Sequence, residues 1–157
     1  MSNTLNQLGV LTLGTRFRRL TDLIYNQSDE IYRRSGLDFQ TSWFPIMFLL
    51  ADKEAVSVTE MAVEMRQTHS AVSQLVKKLI NKGYIERFKD ESDQRRSDLV
   101  LTDAGADLIV RLQPIWSGLV DVLNDMVEST DYDLTDALEA FEAQMTGRDL
   151  VDEVLTA

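Results

Sequence analysis

The sequence predicts a mainly α fold that carries one small β-hairpin. Three observations carry that expectation. Apolar residues recur at a helical spacing through six segments, the period falls to two between Tyr84 and Leu101, and capping residues or glycines punctuate the segments.

Taken in chain order, a first helix is expected from about Asn6 to Ser35, with Leu8, Leu11, Phe17, Leu20, Leu23, Ile24 and Ile31 apolar and Gly36 as its stop. A second spans about Thr41 to Lys53, where Pro45 is tolerated because the first turn has no intrahelical donor to lose. A third begins at Ser57. Its hydroxyl can accept a free amide of the first turn while Glu60 reaches back to the Ser57 amide, a capping box. Met61, Ala62 and Met65 give it a narrow apolar face, and Arg66-Gln67-Thr68 has turn and cap character. The fourth helix, about Thr68 to Lys82, places Val72, Leu75, Val76, Leu79 and Ile80 on one buried stripe. Gly83 ends it by taking a left-handed conformation cheaply.

Beyond Gly83, residues Tyr84, Glu86 and Phe88 alternate with Ile85, Arg87 and Lys89, as in a two-stranded ribbon whose return strand is Asp98 to Leu101. Asp90, Glu91, Asp93, Arg95 and Arg96 fall on its tip. A long helix follows from Asp103 to Glu128, and Pro114 should kink it by removing a hydrogen bond and crowding the preceding turn. The last helix is expected from about Leu134 to Leu155. Leu134, Ala137, Leu138, Phe141 and Met145 form its stripe, with Leu150, Val151, Val154 and Leu155 after Gly147.

Helix, turn, helix and basic hairpin in that order make a winged helix-turn-helix at residues 41–102. The flanking helices, 5–35 and 103–157, are too apolar for one small domain to bury, so they are read as dimerisation helices of a single 157-residue domain that pairs as a homodimer. The outer stripe of the fourth helix is Ser70, Ser73, Gln74, Lys77 and Asn81. Small hydroxyls permit close approach to a duplex, Gln74 can pair with base edges, and Lys77 can reach a phosphate. Double-stranded DNA is therefore the expected partner. The candidate contacts are Thr68, His69, Ser70, Ser73, Gln74, Lys77 and Lys78 on the helix and Arg87, Lys89, Arg95 and Arg96 on the hairpin. Arg95, at the tip, suits a narrow minor groove.

Charge distribution agrees with this, although the chain is acidic as a whole. It holds 16 Lys and Arg against 26 Asp and Glu, yet residues 66–96 hold eight basic against four acidic. Local charge at the contact face governs phosphate binding, so a basic island on an acidic body can bind DNA with strong salt dependence. Absence of cysteine excludes disulfides, Cys-ligated zinc and thiol-based sensing. No apolar run approaches the about 20 residues that span a bilayer, and no signal peptide is visible, so a cytoplasmic chain is expected without a membrane partner. An enzyme is not expected. The one histidine, His69, lies at the start of the fourth helix, and the seven glycines form neither a dinucleotide fingerprint nor a Walker pattern. No cofactor or metal is implied.

Several stretches carry a resemblance. Val58-Thr59-Glu60-Met61-Ala62, Ser70-Ala71-Val72-Ser73-Gln74-Leu75-Val76, Leu79 to Arg87, Asp90-Glu91-Ser92-Asp93-Gln94-Arg95 and Leu99 to Gly105 together resemble the MarR family of bacterial transcriptional regulators. The resemblance implies a ligand-responsive repressor that binds a pseudo-palindromic operator as a homodimer. It places Ser70 to Lys78 in the major groove and Arg95 in the minor groove, with Asp93 holding the wing's shape. It also implies a cleft for a small aromatic or anionic effector, for which Arg16, Arg19, Tyr25, Trp43, Phe44, Met47 and Trp116 are candidate walls. Large aromatics at helical spacing are also the ordinary material of a core.

A narrower resemblance covers Leu37 to Ile46 with Leu49 and Leu50, which is similar to the regulator halves of proteins that join a MarR-like module to a GNAT acetyltransferase. The sequence stops at Ala157 and leaves no room for that second domain, which is expected either to be absent or to have been cut away. The alternative function is accordingly an interaction module, or the regulatory part of an acetyltransferase system, that works through a protein partner.

Overall fold

The computed structural model describes residues 8–89 and 97–156. The chain divides between Ile109 and Val110 into two compact units, each treated by itself below.

In the first unit a 3-10 turn, Gly9–Thr12, leads into helix α1, Leu13–Arg34. The helix therefore starts later than the expected Asn6. Gly9 takes a positive φ of 54°, which no continuing helix adopts, and Thr12 Oγ1 donates to the Gly9 carbonyl at 2.8 Å. The segment at Thr41 also opens as a 3-10 turn, Thr41–Trp43, before helix α2, Phe44–Asp52, with Pro45 in its first turn. Asp29 of α1 pins this turn: its Oδ1 accepts from the Thr41 amide at 2.6 Å and the Thr41 hydroxyl at 2.7 Å.

Helix α3, Val58–Glu64, is started by the expected capping box. Ser57 Oγ accepts from the Glu60 amide at 3.2 Å, and Glu60 Oε2 accepts from the Ser57 amide at 2.8 Å. Helix α4, His69–Asn81, is capped by Thr68, whose hydroxyl accepts from the Ala71 amide at 3.2 Å.

α1, α3 and α4 all end in the same hydrogen-bonded turn, in which two amides beyond the helix bond back to carbonyls of the last turn. The pairs are Gly36 to Arg33 with Leu37 to Tyr32, Arg66 to Val63 with Gln67 to Ala62, and Gly83 to Ile80 with Tyr84 to Leu79. That turn requires a left-handed residue. Gly36 and Gly83 supply it at φ 68° and 73°, but in the middle case it is Arg66, at φ 50°. For a residue with a Cβ this conformation costs roughly 1 to 2 kcal/mol.

The hairpin is one part of a three-stranded antiparallel sheet in the order β1-β3-β2, formed by Val56–Ser57, Ile85–Lys89 and Ser97–Leu101 as β1, β2 and β3. The two-stranded ribbon is thus corrected by one short strand. Val56 pairs with Leu99 across β1 and β3, and Arg87 pairs with Leu99 across β2 and β3. β1 escapes a periodicity search because two residues cannot display a period. Val56, Ile85 and Leu99 are buried with Tyr32, Phe39, Trp43, Ile46, Met47, Met61, Val72, Val76 and Leu79, a core contributed by every helix of this unit up to α4.

Helix α5, Asp103–Glu128, continues without interruption across Pro114. In the second unit the expected last helix is two: α6, Leu134–Thr146, and α7, Leu150–Leu155. Gly147 closes the first. Asp149 begins the second by accepting from the Val151 and Asp152 amides at 2.9 and 3.2 Å, so a local cap outcompetes the helical period. Neither α6 nor α7 has a buried residue.

Candidate nucleic-acid interface

α4 is fastened by one face and offers the other. Val72, Val76 and Leu79 are wholly buried, while Thr68, His69, Ser70, Gln74, Lys77 and Lys78 are exposed and Ser73 is half-buried. His69 Nδ1 lies 3.4 Å from Ser73 Oγ, a local contact that orders the first turn of the exposed face. The face thus presents hydroxyls, an amide and two ammonium groups in sequence along one side of a rigid element. Those groups are able to donate to phosphates, and the Gln74 amide can both donate to and accept from a base edge.

The root of the hairpin is locked to the end of α4. Thr102 Oγ1 donates to the Gly83 carbonyl at 2.6 Å and accepts from the Gly105 amide at 3.1 Å, and the Thr102 amide donates to the Tyr84 carbonyl at 3.1 Å. Gly105 sits so close to this junction that a Cβ would come within 2.0 Å of the Tyr84 carbonyl oxygen. The Leu-Thr-x-x-Gly stretch therefore has a physical reason: one side chain clasps both elements, and one residue must lack a side chain.

Arg87 is exposed on β2, and Lys89 ends that strand opposite Ser97. Arg95 and Arg96, with Asp90, Glu91 and Asp93, lie outside the described residues.

The structure also shows groups that sequence reasoning missed. Lys82, counted among the basic island, is ion-paired with Asp38, whose side-chain hydrogen bond raises the lysine pKa above its ordinary value. Asp38 further accepts, through its carbonyl, from the Tyr84 hydroxyl at 3.2 Å. Lys53 is likewise paired with Glu64 at 2.7 Å. These contacts join residues 44, 46 and 11 positions apart, which no local spacing reveals.

The proposed effector residues separate by burial. Trp43 and Met47 are sealed in the core, Trp43 edge-on to Phe39 at 5.9 Å and tilted against Tyr84 at 6.4 Å. Tyr32 extends the same ladder to Phe39 at 4.9 Å. Phe44 is half-buried beside Phe48 at 5.5 Å. On α1, Arg16 is half-buried and Arg19 and Tyr25 are exposed, while the half-buried Trp116 belongs to the second unit. Among the described residues no cluster of His, Cys, Asp or Glu could hold a metal ion, and no helix is long and apolar enough to cross a membrane.

Residues 35–96 match the MarR family. The HTH-type transcriptional regulator SarZ of Staphylococcus saprophyticus is 24% identical over 131 residues, which cover 79% of this chain and 88% of that protein. SarZ of Staphylococcus haemolyticus is 22% identical over 102 residues, 62% of this chain and 69% of its own. Among solved structures, the S. aureus MepR–DNA complex is similar with a TM-score of 0.67 at 21% identity, covering 87% of this chain and 97% of that one. Apo wild-type MarR from E. coli gives 0.57 at 19% identity, covering 85% and 96%. At such identities the structural likeness speaks for the fold.

Proposed function

We infer that this chain, whose residues 35–96 belong to the MarR family, is a DNA-binding transcriptional regulator that reads its operator with α4. The observation that carries this is the division of α4 into a wholly buried stripe and an exposed face of Ser70, Gln74, Lys77 and Lys78. A helix held by its apolar face and presenting small hydroxyls, an amide and cations is built to enter a major groove.

The protein acts in the cytoplasm as a homodimeric, ligand-responsive repressor on a pseudo-palindromic site, with Arg87, Lys89, Arg95 and Arg96 of the wing touching DNA beside the helix. Support for the dimer comes from α6 and α7, whose Leu134, Leu138, Phe141, Met145, Val151 and Leu155 are all exposed in the single chain. For the effector, Arg16, Arg19, Tyr25 and Phe44 are the accessible members of the candidate set. No catalytic step belongs to this reading, in keeping with relatives that are named as regulators.

The test is selection of bound duplexes from a random pool, followed by titration at two salt concentrations. Gln74→Ala should lose about 1 to 3 kcal/mol of discrimination at one base pair per half-site. Lys77→Ala should weaken all duplexes alike and flatten the salt slope. Unchanged affinity and preference in Gln74→Ala would remove that face from the reading. Binding to protein partners with no DNA selected would favour the interaction module.

A further inference from the structure

The helix-ending turn that α3 shares with α1 and α4 is occupied by the wrong residue for its backbone. Gly36 and Gly83 hold the left-handed position in two of the turns, and a Cβ at either would meet nothing within 4 Å. The preference for glycine is therefore a matter of backbone conformation and not of space. Arg66 adopts the same position at φ 50° with the same pair of returning amides, 3.1 Å to Val63 and 3.0 Å to Ala62. A glycine would complete the turn without strain, so the arginine occupies it at a conformational cost. Strain of this kind at a surface turn is a pointer to a task for the side chain.

The location supplies the task. Arg66 is exposed, in the turn that feeds α4, two positions ahead of the Thr68 cap. Lys77 and Lys78 stand at the other end of that exposed face. From His69 to Lys77 the helix advances about 12 Å, so the two ends cannot share one phosphate.

We propose that Arg66 is a DNA-backbone contact, its guanidinium binding a phosphate at the entry of α4 while Lys77 and Lys78 engage phosphates at its far end. A planar guanidinium takes a phosphate through two parallel N–H donors, and contacts at both ends of a reading helix fix its register on the bases. The inference rests on the DNA-binding reading of α4.

The experiment uses the full chain and a duplex that the wild-type protein selects from a random pool. Arg66→Gly, Arg66→Gln and Arg66→Lys are compared in thermal stability and in the slope of log K against log salt. Arg66→Gly should melt about 2 to 4 °C higher, because the turn loses its strain, while binding roughly tenfold more weakly at low salt with a slope shallower by about 0.9. Arg66→Gln should show the same loss of affinity and slope without the gain in melting temperature, and Arg66→Lys should keep the slope. Wild-type affinity and slope in Arg66→Gly overturn the proposal, as does a fall in its melting temperature with the slope unchanged, which would make Arg66 a brace. If the wild-type chain selects no duplex and shows no salt-dependent binding, the DNA-binding reading falls and this inference with it. A failure confined to the Arg66 variants leaves that reading standing.

Discussion

At the scale of single residues, the junction of wing and helix depends on atoms that leave no slack. A methyl group at Gly105 would meet the Tyr84 carbonyl oxygen at 2.0 Å and its carbon at 2.9 Å, and that oxygen already accepts from the Thr102 amide. Neither atom belongs to a flexible side chain that could swing aside. Gly105→Ala should therefore destabilise the fold by about 1 to 3 kcal/mol, the usual cost of overpacking, read as a lower denaturant midpoint. Because the clash is at the wing root, the variant should also lose affinity for a selected duplex more than its stability loss explains. A variant as stable as the parent would show that the two segments can separate. The glycine is visible in the sequence, but its reason is not, since the neighbour it must admit lies 21 positions earlier.

At the scale of elements, the end of α1 is charged in a way that gives a pH signature. Glu30 accepts from Arg33 through both oxygens at 2.6 Å and from Arg34 at 2.8 Å. Those bonds, Arg33 first and Arg34 second, hold the Glu30 carboxyl down to about 2 from its ordinary 4.5. A carboxylate lowered on folding stabilises the folded chain in full above its unfolded value. Its contribution is lost as pH falls through the folded value, so the window runs from about pH 4.5 down to about 2. Glu30→Gln should show a shallower decline of melting temperature across that window, while at neutral pH the two proteins should nearly coincide, because the cluster is exposed. Parallel acid limbs would assign the titration elsewhere. Arg33 and Arg34 also stand in the last turn of α1, where a positive charge suits the helix terminus.

At the scale of the whole molecule, the apolar residues of the second unit's last two helices are exposed. α6 and α7 bury no residue, although Leu134, Leu138, Phe141 and Met145 repeat at the spacing of one helical face. The dimer reading makes these a partner's surface; in the first unit Leu8 and Leu11 are exposed as well. The intact chain should then run as a dimer at micromolar concentration. A truncation after Thr130, which removes α6 and α7, should give a monomeric or insoluble product without duplex binding. Two recognition helices about one DNA turn apart are required for a two-fold site, and a monomer offers only one. A soluble, full-length monomer that binds duplex DNA as a single unit would end this reading.

What the sequence alone determined was whatever a few neighbouring residues decide among themselves. The capping box at Ser57 and Glu60, the bounds of α4, the left-handed stop at Gly83 and the presence of β2 and its return strand all arise from local hydrogen bonds or from a period of 3.6 or 2. The polar face of α4 was legible for the same reason: burying Val72, Val76 and Leu79 leaves Ser70, Gln74 and Lys77 outside. Only the tertiary structure decided the rest. It turned Val56–Ser57 into a strand, placed Trp43 and Met47 in the core, tied Lys82 and Tyr84 to Asp38, and set Asp29 on Thr41. Each of these joins groups that are distant along the chain, and chain closure, unlike helical periodicity, imposes no repeating mark on the residues it brings together.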